Sequence, residues 1–294
     1  PMSGVRVGIV GAGMAGLSCA TELRKGGVDV VLFDKGRGPG GRMATRRTEV
    51  AGDTLHFDHG AQYFTARDSA FVATVGKWLV RGVVAGWPAA GDEAYVGVPG
   101  MNGPLKHMAK DLDVHWGVRI EQIKQQKRGG WTLTSADERH ECDLVICAIP
   151  AEQAAELLGQ AAPDFAAKAL QSRSKPCWAA MAAFESPLPI DTDAIRSREG
   201  KIAWAARNSS KPQRGAGETW VIHASPEFSR EILELPKEAA ADVLLEAFFD
   251  QTGVAPVAPM HSAAHRWLYA MAESGPGPAS LWNAETKVGA CGDW

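Results

Sequence analysis

Val5 to Val10 is an apolar run of strand length, followed by glycines at 11, 13 and 16 and by a stretch of helical composition, Met14 to Lys25. A second apolar run, from Val28, ends on Asp34. This order predicts a strand, a tight turn, a helix and a parallel strand. Further on, Ser69–Arg81 reads as helical, and a short helix follows VPGMNG (Val98–Gly103) as far as Asp111. Val114–Trp116, Val118–Gln125 and Trp131–Ser135 read as strands, with the solvated Lys127–Gly130 stretch as a turn. Asp143–Ala148 is apolar on every residue after its first, the pattern of a parallel strand buried on both faces. Pro150 stops it before a helix around Glu152–Leu158.

From Pro163 the pattern changes. Cys177–Phe184, Ile202–Asn208 and Trp220–Ala224 predict strands of a separate sheet, and Lys237–Asp250 predicts a helix on one of its faces. Val288–Cys291 is a last short apolar strand, reached through the glycine-proline segment Ser274–Pro278. The expected fold is α/β, with a Rossmann-like FAD-binding domain interleaved with an α+β substrate domain and a site between them. The expected boundaries are 1–62, 98–160 and 282–294 for the former, and 63–97 and 161–281 for the latter. Pro1 ahead of Met2 reads as a cloning scar.

Composition narrows the classes. In 294 residues, 31 basic side chains face 34 acidic ones, a net charge of −3 that gives no electrostatic case for nucleic acid or an anionic membrane. No apolar run approaches the roughly twenty residues of a membrane span, so a cytoplasmic location is the default expectation. The five cysteines are scattered without a C-x-x-C pair and read as inert thiols in a reducing compartment.

The glycine spacing carries chemistry. Gly11 permits the turn, Gly13 lets backbone N–H groups approach a pyrophosphate, and Gly16 lets helix and strand pack closely. Asp34 stands at the distance expected of an acid that accepts ribose hydroxyls, and its charge disfavours a 2′-phosphate. Gly38, Gly40, Gly41 and Arg42 then form a second glycine-arginine loop where an ordinary NAD-binding unit would enter a helix. Consecutive glycines and an arginine fork suit phosphate oxygens. This two-loop arrangement resembles the cradle of the FAD family of amine oxidases, phytoene-type desaturases and protoporphyrinogen oxidases.

Asp53, His56, Asp58 and His59 look like metal ligands, but on a strand His56 and His59 would face opposite ways, and no metal is expected. Ten tryptophans are many for this length, and flat side chains suit a stacked ring. Tyr63, Trp178, Trp204, His223, Trp267 and Tyr269 are candidates for a substrate cage, with His59 beside them. Arg266 could pair with a substrate phosphate or with a surface acid.

FDHGAQYFTAR (Phe57–Arg67), with GGRMATRR (Gly40–Arg47), PGMN (Pro99–Asn102), HRWLYA (His265–Ala270) and GACGDW (Gly289–Trp294), closely resembles the bacterial renalase family over essentially the whole chain. The resemblance implies an amine oxidase or p-hydroxybenzoate hydroxylase-like fold and FAD; the sequence has no clear attachment motif for the flavin, so non-covalent FAD is expected. The resemblance also implies an oxidase that converts 2- and 6-dihydro isomers of NAD(P)H to the oxidised dinucleotide, with O2 as co-substrate and hydrogen peroxide as product. The implied cofactor-binding set is Gly11, Ala12, Gly13, Met14, Ala15, Gly16, Asp34, Lys35, Gly41, Arg42, Met43, Gly60, Ala61, Gln62, Val118, Gly292 and Asp293. Gly60–Gln62 would pass close to the isoalloxazine ring and Asp293 near the ribityl chain. A helix facing the cofactor would follow Gly292–Asp293 in the family. An amine oxidase or desaturase of the same superfamily would share every FAD motif, and a non-catalytic flavin- or nucleotide-binding protein is the reading from another class.

Overall fold

The computed structural model describes residues 4–273, 275 and 277–294; Pro1–Ser3 and part of the expected 274–278 crossing lie outside the described residues. The chain divides into two compact units, one of Pro1–Gly41, Leu105–Lys175 and Met271–Trp294, the other of Arg42–Pro104 and Pro176–Ala270.

The first unit is built on a six-stranded sheet in the order Ser280–Asn283, Val288–Cys291, Leu144–Cys147, Arg6–Val10, Asp29–Asp34, Asp113–Trp116. All neighbours are parallel except the first pair. The chain runs outward from Arg6–Val10 on both sides, which makes the C-terminal end of that strand a switch point, where open α/β sheets bind ligands. A three-stranded meander, Gln122–Gln125, Trp131–Thr134 and Arg139–Cys142, shares a core with this sheet. Ile123, Trp131, Leu133 and Cys142 pack with Val10, Val31, Phe33 and Val145. Gly8 makes that approach possible, because a Cβ there would stand 3.0 Å from Cys142 Sγ.

The second unit holds a five-stranded sheet in the order Ala194–Arg196, Ile202–Arg207, Glu218–Ala224, Arg173–Phe184, His261–Glu273. Its strands alternate between two environments, as a period of two requires. Trp178, Ala180, Ala182 and Phe184, with Trp220, Ile222 and Ala224, face the helix Lys237–Thr252. Met181, Ala183 and Val221 face Phe57, on the hairpin of Thr45–Val50 and Asp53–Asp58. A register shift between Ile202 and Trp204 breaks the alternation and sends Trp204 to a different cluster from Ile202.

The compact units divide the chain differently from the expected domains. Residues 42–62 and 98–104 fall in the second unit, where the hairpin buries Phe57 against that unit's sheet. Residues 161–175 and 271–281 fall in the first unit, where Ala166 and Ala169 of the helix Pro163–Gln171 pack beside Ala154 and Leu158. Val118 is not in a strand; the meander begins at Gln122. The 45–58 hairpin and the long strand His261–Glu273 were not expected, because the hairpin's exposed positions are mostly charged and most of the strand's residues are half-buried.

Candidate active site

The nucleotide end is assembled in the first unit. Gly11 adopts φ +101° and donates its N–H to Phe33 O at 2.8 Å, and a Cβ on it would lie 2.4 Å from Ala148 O. A Cβ on Gly16 would fall 1.9 Å from Gly11 O, whereas one on Gly13 would meet nothing within 4 Å. The helix Met14–Lys25 starts without a side-chain cap and without an acid in its first turn. Its first N–H groups and its positive end therefore have no side-chain cap, a setting that suits phosphate oxygens. Gly41, at the edge of the second glycine loop, stands over Gly13, with a would-be Cβ 3.6 Å from Gly13 Cα. These observations fit a dinucleotide pyrophosphate.

Asp34 does more than was expected of it. Its carboxylate accepts from Ala12 N at 2.8 Å and Gly36 N at 2.7 Å, so it ties both glycine loops together and still has lone pairs for ribose hydroxyls. Its carbonyl accepts from Val118 N at 2.9 Å, so a backbone hydrogen bond from Val118 to adenine would fall to the Val118 carbonyl. Met14 and Ala15 are half-buried in the first helical turn, and Lys35 is exposed. Gly292 (φ +158°) and the exposed Asp293 follow the strand Val288–Cys291, and the next residue, Trp294, donates to Ile149 O at 2.9 Å.

The second unit carries the loop His59–Tyr63. Trp267 Nε1 donates to His59 O at 2.9 Å, and His223 Nε2 donates to the same oxygen at 3.2 Å. Ala61 N donates to Arg42 O at 2.8 Å. A Cβ on Gly60 would lie 2.0 Å from Arg42 O and 3.3 Å from the Trp267 ring, so only glycine fits between them. Arg42 Nη1 reaches Ala270 O at 3.4 Å. Met43 packs with the Trp87–Met101–Trp204 cluster of this unit.

Beneath the loop lies a buried charge cluster that sequence did not reveal. Asp58 Oδ2 accepts from Arg214 Nε (2.9 Å) and Nη2 (2.8 Å) and from Lys211 Nζ (3.3 Å). Oδ1 accepts from Met101 N at 2.9 Å and Thr45 Oγ1 at 2.8 Å. The side chains of Asp58, Lys211 and Arg214 are all fully buried. Burial alone would raise the Asp58 pKa, but Lys211, Arg214 and the Met101 N–H together hold it at about 2. Burial brings Lys211 down to about 8 against the pull of Asp58. Gln62 is locked into the same network. Its amide nitrogen donates to Asp58 O and to Gly60 O, and its Oε1 accepts from Lys211 Nζ (3.2 Å) and Trp204 Nε1 (3.3 Å). The Gln62 side chain is thus turned inward.

His59, His265 and Trp267 form a ring cluster, with centroids 4.9 Å (His59–His265), 5.1 Å (His59–Trp267) and 4.3 Å (His265–Trp267) apart. Burial, helped by Arg46, pushes His59 and His265 down to about 4, and burial does the same to His223. All three imidazoles are neutral near pH 7. Tyr269 continues the odd-numbered row of the strand after His265 and Trp267 and is half-buried. On the other side of the loop, Tyr63 lies 5.5 Å from Trp204.

Trp178 leaves the cage, and Arg266 takes the second of its two expected partners, a surface acid. Trp178 is core, its Nε1 donating to Ile232 O at 3.1 Å. Arg266, on the opposite parity from Trp267, is bound to Leu233 O at 2.7 Å and to Glu234. Of the imagined metal ligands, Asp58 has both oxygens engaged as above, and no group of three or more His, Cys, Asp or Glu converges among the described residues. His265 went unnamed as a cage residue, although its spacing of two from Trp267 marks a shared face. Lys211 and Arg214 sit in NSSKPQRGAGE, which reads as a solvated loop, so nothing local announces their burial.

Residues 9–75 match the model of the NAD(P)-binding Rossmann-like domain, and residues 87–272 match that of the flavin-containing amine oxidoreductases. A segment of 76 residues is 42% identical to a hydroxyneurosporene desaturase of Rubrivivax gelatinosus, covering 25% of this chain and 14% of that protein. Among solved structures, a proposed protoporphyrinogen oxidase from Exiguobacterium sp. 255-15 superposes with a TM-score of 0.75 at 12% identity, over 99% of this chain and 94% of that one. Cyclohexylamine oxidase from Brevibacterium oxydans does so with a TM-score of 0.63 at 14% identity, over 98% and 93%. At these identities the superpositions speak for the fold.

Proposed function

The chain belongs to the flavin-containing amine oxidoreductases, a family of FAD-dependent oxidoreductases, and from that premise we propose that it oxidises the 2- and 6-dihydro isomers of NAD(P)H to NAD(P)+, with O2 as final acceptor and hydrogen peroxide as product. Bound FAD supplies the hydride acceptor, at N5, and the route of the electrons to oxygen.

The observation that carries the reading is the flat-sided character of the groups at the His59 end of the His59–Tyr63 loop, where the three imidazoles are neutral. Trp267 and Tyr269 share a strand face with His265, and three histidines are held neutral by burial. Such a surface suits a ring that turns from neutral dihydropyridine to aromatic pyridinium. That change drives hydride loss without a strong base, so the protein's task is orientation. His223 and Trp267 contribute by fixing the His59 carbonyl, and with it the Gly60–Ala61 peptide. Gln62 holds the loop from below through four hydrogen bonds. The Asp58 carboxylate keeps the cations beneath that loop paired. Gly11, Gly13, Gly41 and Asp34 would hold the ADP end of FAD.

An amine oxidase or desaturase activity is the second reading, favoured by the family match and by the desaturase-like segment. The donor that supports peroxide formation separates the proposal from an amine oxidase. The FAD-loaded protein is expected to produce peroxide with 2- or 6-dihydro-NAD and none with cyclohexylamine or putrescine. Turnover of an amine, with no response to any dihydronicotinamide, would replace the proposal with the second reading.

A further inference from the structure

The edge strand Ala194–Arg196 of the second unit ends in a guanidinium that the chemistry above leaves unused. Arg196 is exposed, and its Cζ lies 5.6 Å from the centroid of the Tyr63 ring and 5.4 Å from that of Trp204. The planes of those rings differ by 35°, so together they make one floor under the cation. Nη2 donates to the Tyr63 hydroxyl. Arg207, on the neighbouring strand, is tied to Asp193 and Glu218, and Arg214 is tied to Asp58. Arg196 has no such carboxylate among the described residues.

The floor is fixed from below. Trp204 donates to Gln62 Oε1 at 3.3 Å, and its ring meets Trp87 edge-on at 6.3 Å. Tyr63 directly follows Gln62. A planar cation stacked on two anchored rings loses much of its freedom to reorient, while its outward N–H donors stay available. A fork of donors held this way matches two oxygens of one phosphate, which a lysine ammonium cannot do.

We propose that Arg196 is a specificity-determining residue that captures a phosphate group of the substrate beside the Tyr63–Trp204 floor. The inference rests on the dihydronicotinamide reading and narrows it: the substrates are phosphate-bearing dihydropyridine nucleotides, not the dephosphorylated riboside or the free base. Arg196 acts on affinity and takes no part in hydride transfer.

The test compares FAD-loaded wild type, Arg196→Met and Arg196→Lys. The dissociation constants of NAD+ and of nicotinamide riboside are measured by calorimetry, alongside kcat and KM for 6-dihydro-NAD. Arg196→Met is expected to raise the NAD+ Kd and the KM about ten- to a hundredfold, the loss of one charge-assisted contact. The riboside Kd and kcat should stay unchanged, and Arg196→Lys should recover only part of the loss. An unchanged NAD+ Kd in Arg196→Met, equal weakening of NAD+ and riboside, or no NAD+ binding to wild type would each overturn the assignment. Failure of every dihydronicotinamide to reduce the wild-type flavin would sink the activity reading, and the Kd comparison would still decide on Arg196.

Discussion

Asp58 gathers Thr45, Met101, Lys211 and Arg214 onto two oxygens, and the cost of losing it falls on its partners. Asp58→Asn would leave two buried cations without their counter-charge, a change expected to destabilise by about 3–5 kcal/mol. Denaturant unfolding of the FAD-loaded protein checks this; a loss under about 1 kcal/mol, the worth of an exposed pair, would contradict it. The Asp58 pKa is lowered on folding, so its contribution is present at neutral pH and disappears as pH falls below the ordinary carboxylate range toward about 2. At this scale the sequence was legible where function depends on local spacing. Gly11, Gly13, Gly16 and Asp34 lie within one strand-turn-helix-strand unit, so their spacing along the chain is enough to join them. The Asp58 partners come from distant segments, and no local pattern joins an aspartate in FDHGAQ to a lysine in a polar loop. The same limit hid Arg196 and Trp87, whose meaning depends on what they stack against.

Glycine positions separate the needs of an element from those of its ligand. Gly16→Ala would drive a Cβ to within 1.9 Å of Gly11 O, and Gly60→Ala would drive one to within 2.0 Å of Arg42 O. Both are backbone atoms that cannot step aside, so the apoprotein itself should lose stability. Gly13→Ala meets open space. Its apoprotein should unfold like wild type while its affinity for FAD falls, which thermal scans of the apoproteins and a flavin titration would show. Equal apoprotein destabilisation by Gly13→Ala and Gly16→Ala would refute the distinction. The strands add a pH effect. His59, His223 and His265 are buried neutral, with folded pKa values of about 4 against an ordinary 6.5. The unfolded chain therefore binds more protons between those values, and stability should fall as pH drops from about 6.5 to 4. His223→Gln should flatten that fall in denaturant titrations at stepped pH; a slope identical to wild type would count against it. The register shift that turns Trp204 away from Ile202 is not legible in the sequence, since bulges depend on the partner strand.

Over the whole molecule, two hydrophobic cores, one around Val10 and Trp131 and one around Trp178 and Trp220, stabilise two units threaded by one chain. The interleaving was visible in the late strand GACGDW and in DLVICA, whose apolar character belongs to the first sheet. The boundaries were not, because the GGRMATRR motif begins in one unit and ends in the other. Because FAD binds the folded chain, each tenfold rise in free FAD above its dissociation constant should add about 1.4 kcal/mol of stability. Asp34→Ala, which removes the acceptor for Ala12 and Gly36, should move the FAD concentration at which that rise in stability begins to a higher value in denaturant titrations at stepped FAD; an onset equal to wild type would contradict the role given to Asp34.

The central claim is the substrate class, and anaerobic mixing of the FAD-loaded protein with separated 2-, 4- and 6-dihydro-NAD tests it most directly. The expected result is rapid bleaching of the visible flavin band by the 2- or 6-isomer and little by the 4-isomer, with colour and peroxide returning on admission of air. A band left unbleached by both the 2- and the 6-isomer, with FAD fully bound, would contradict the account.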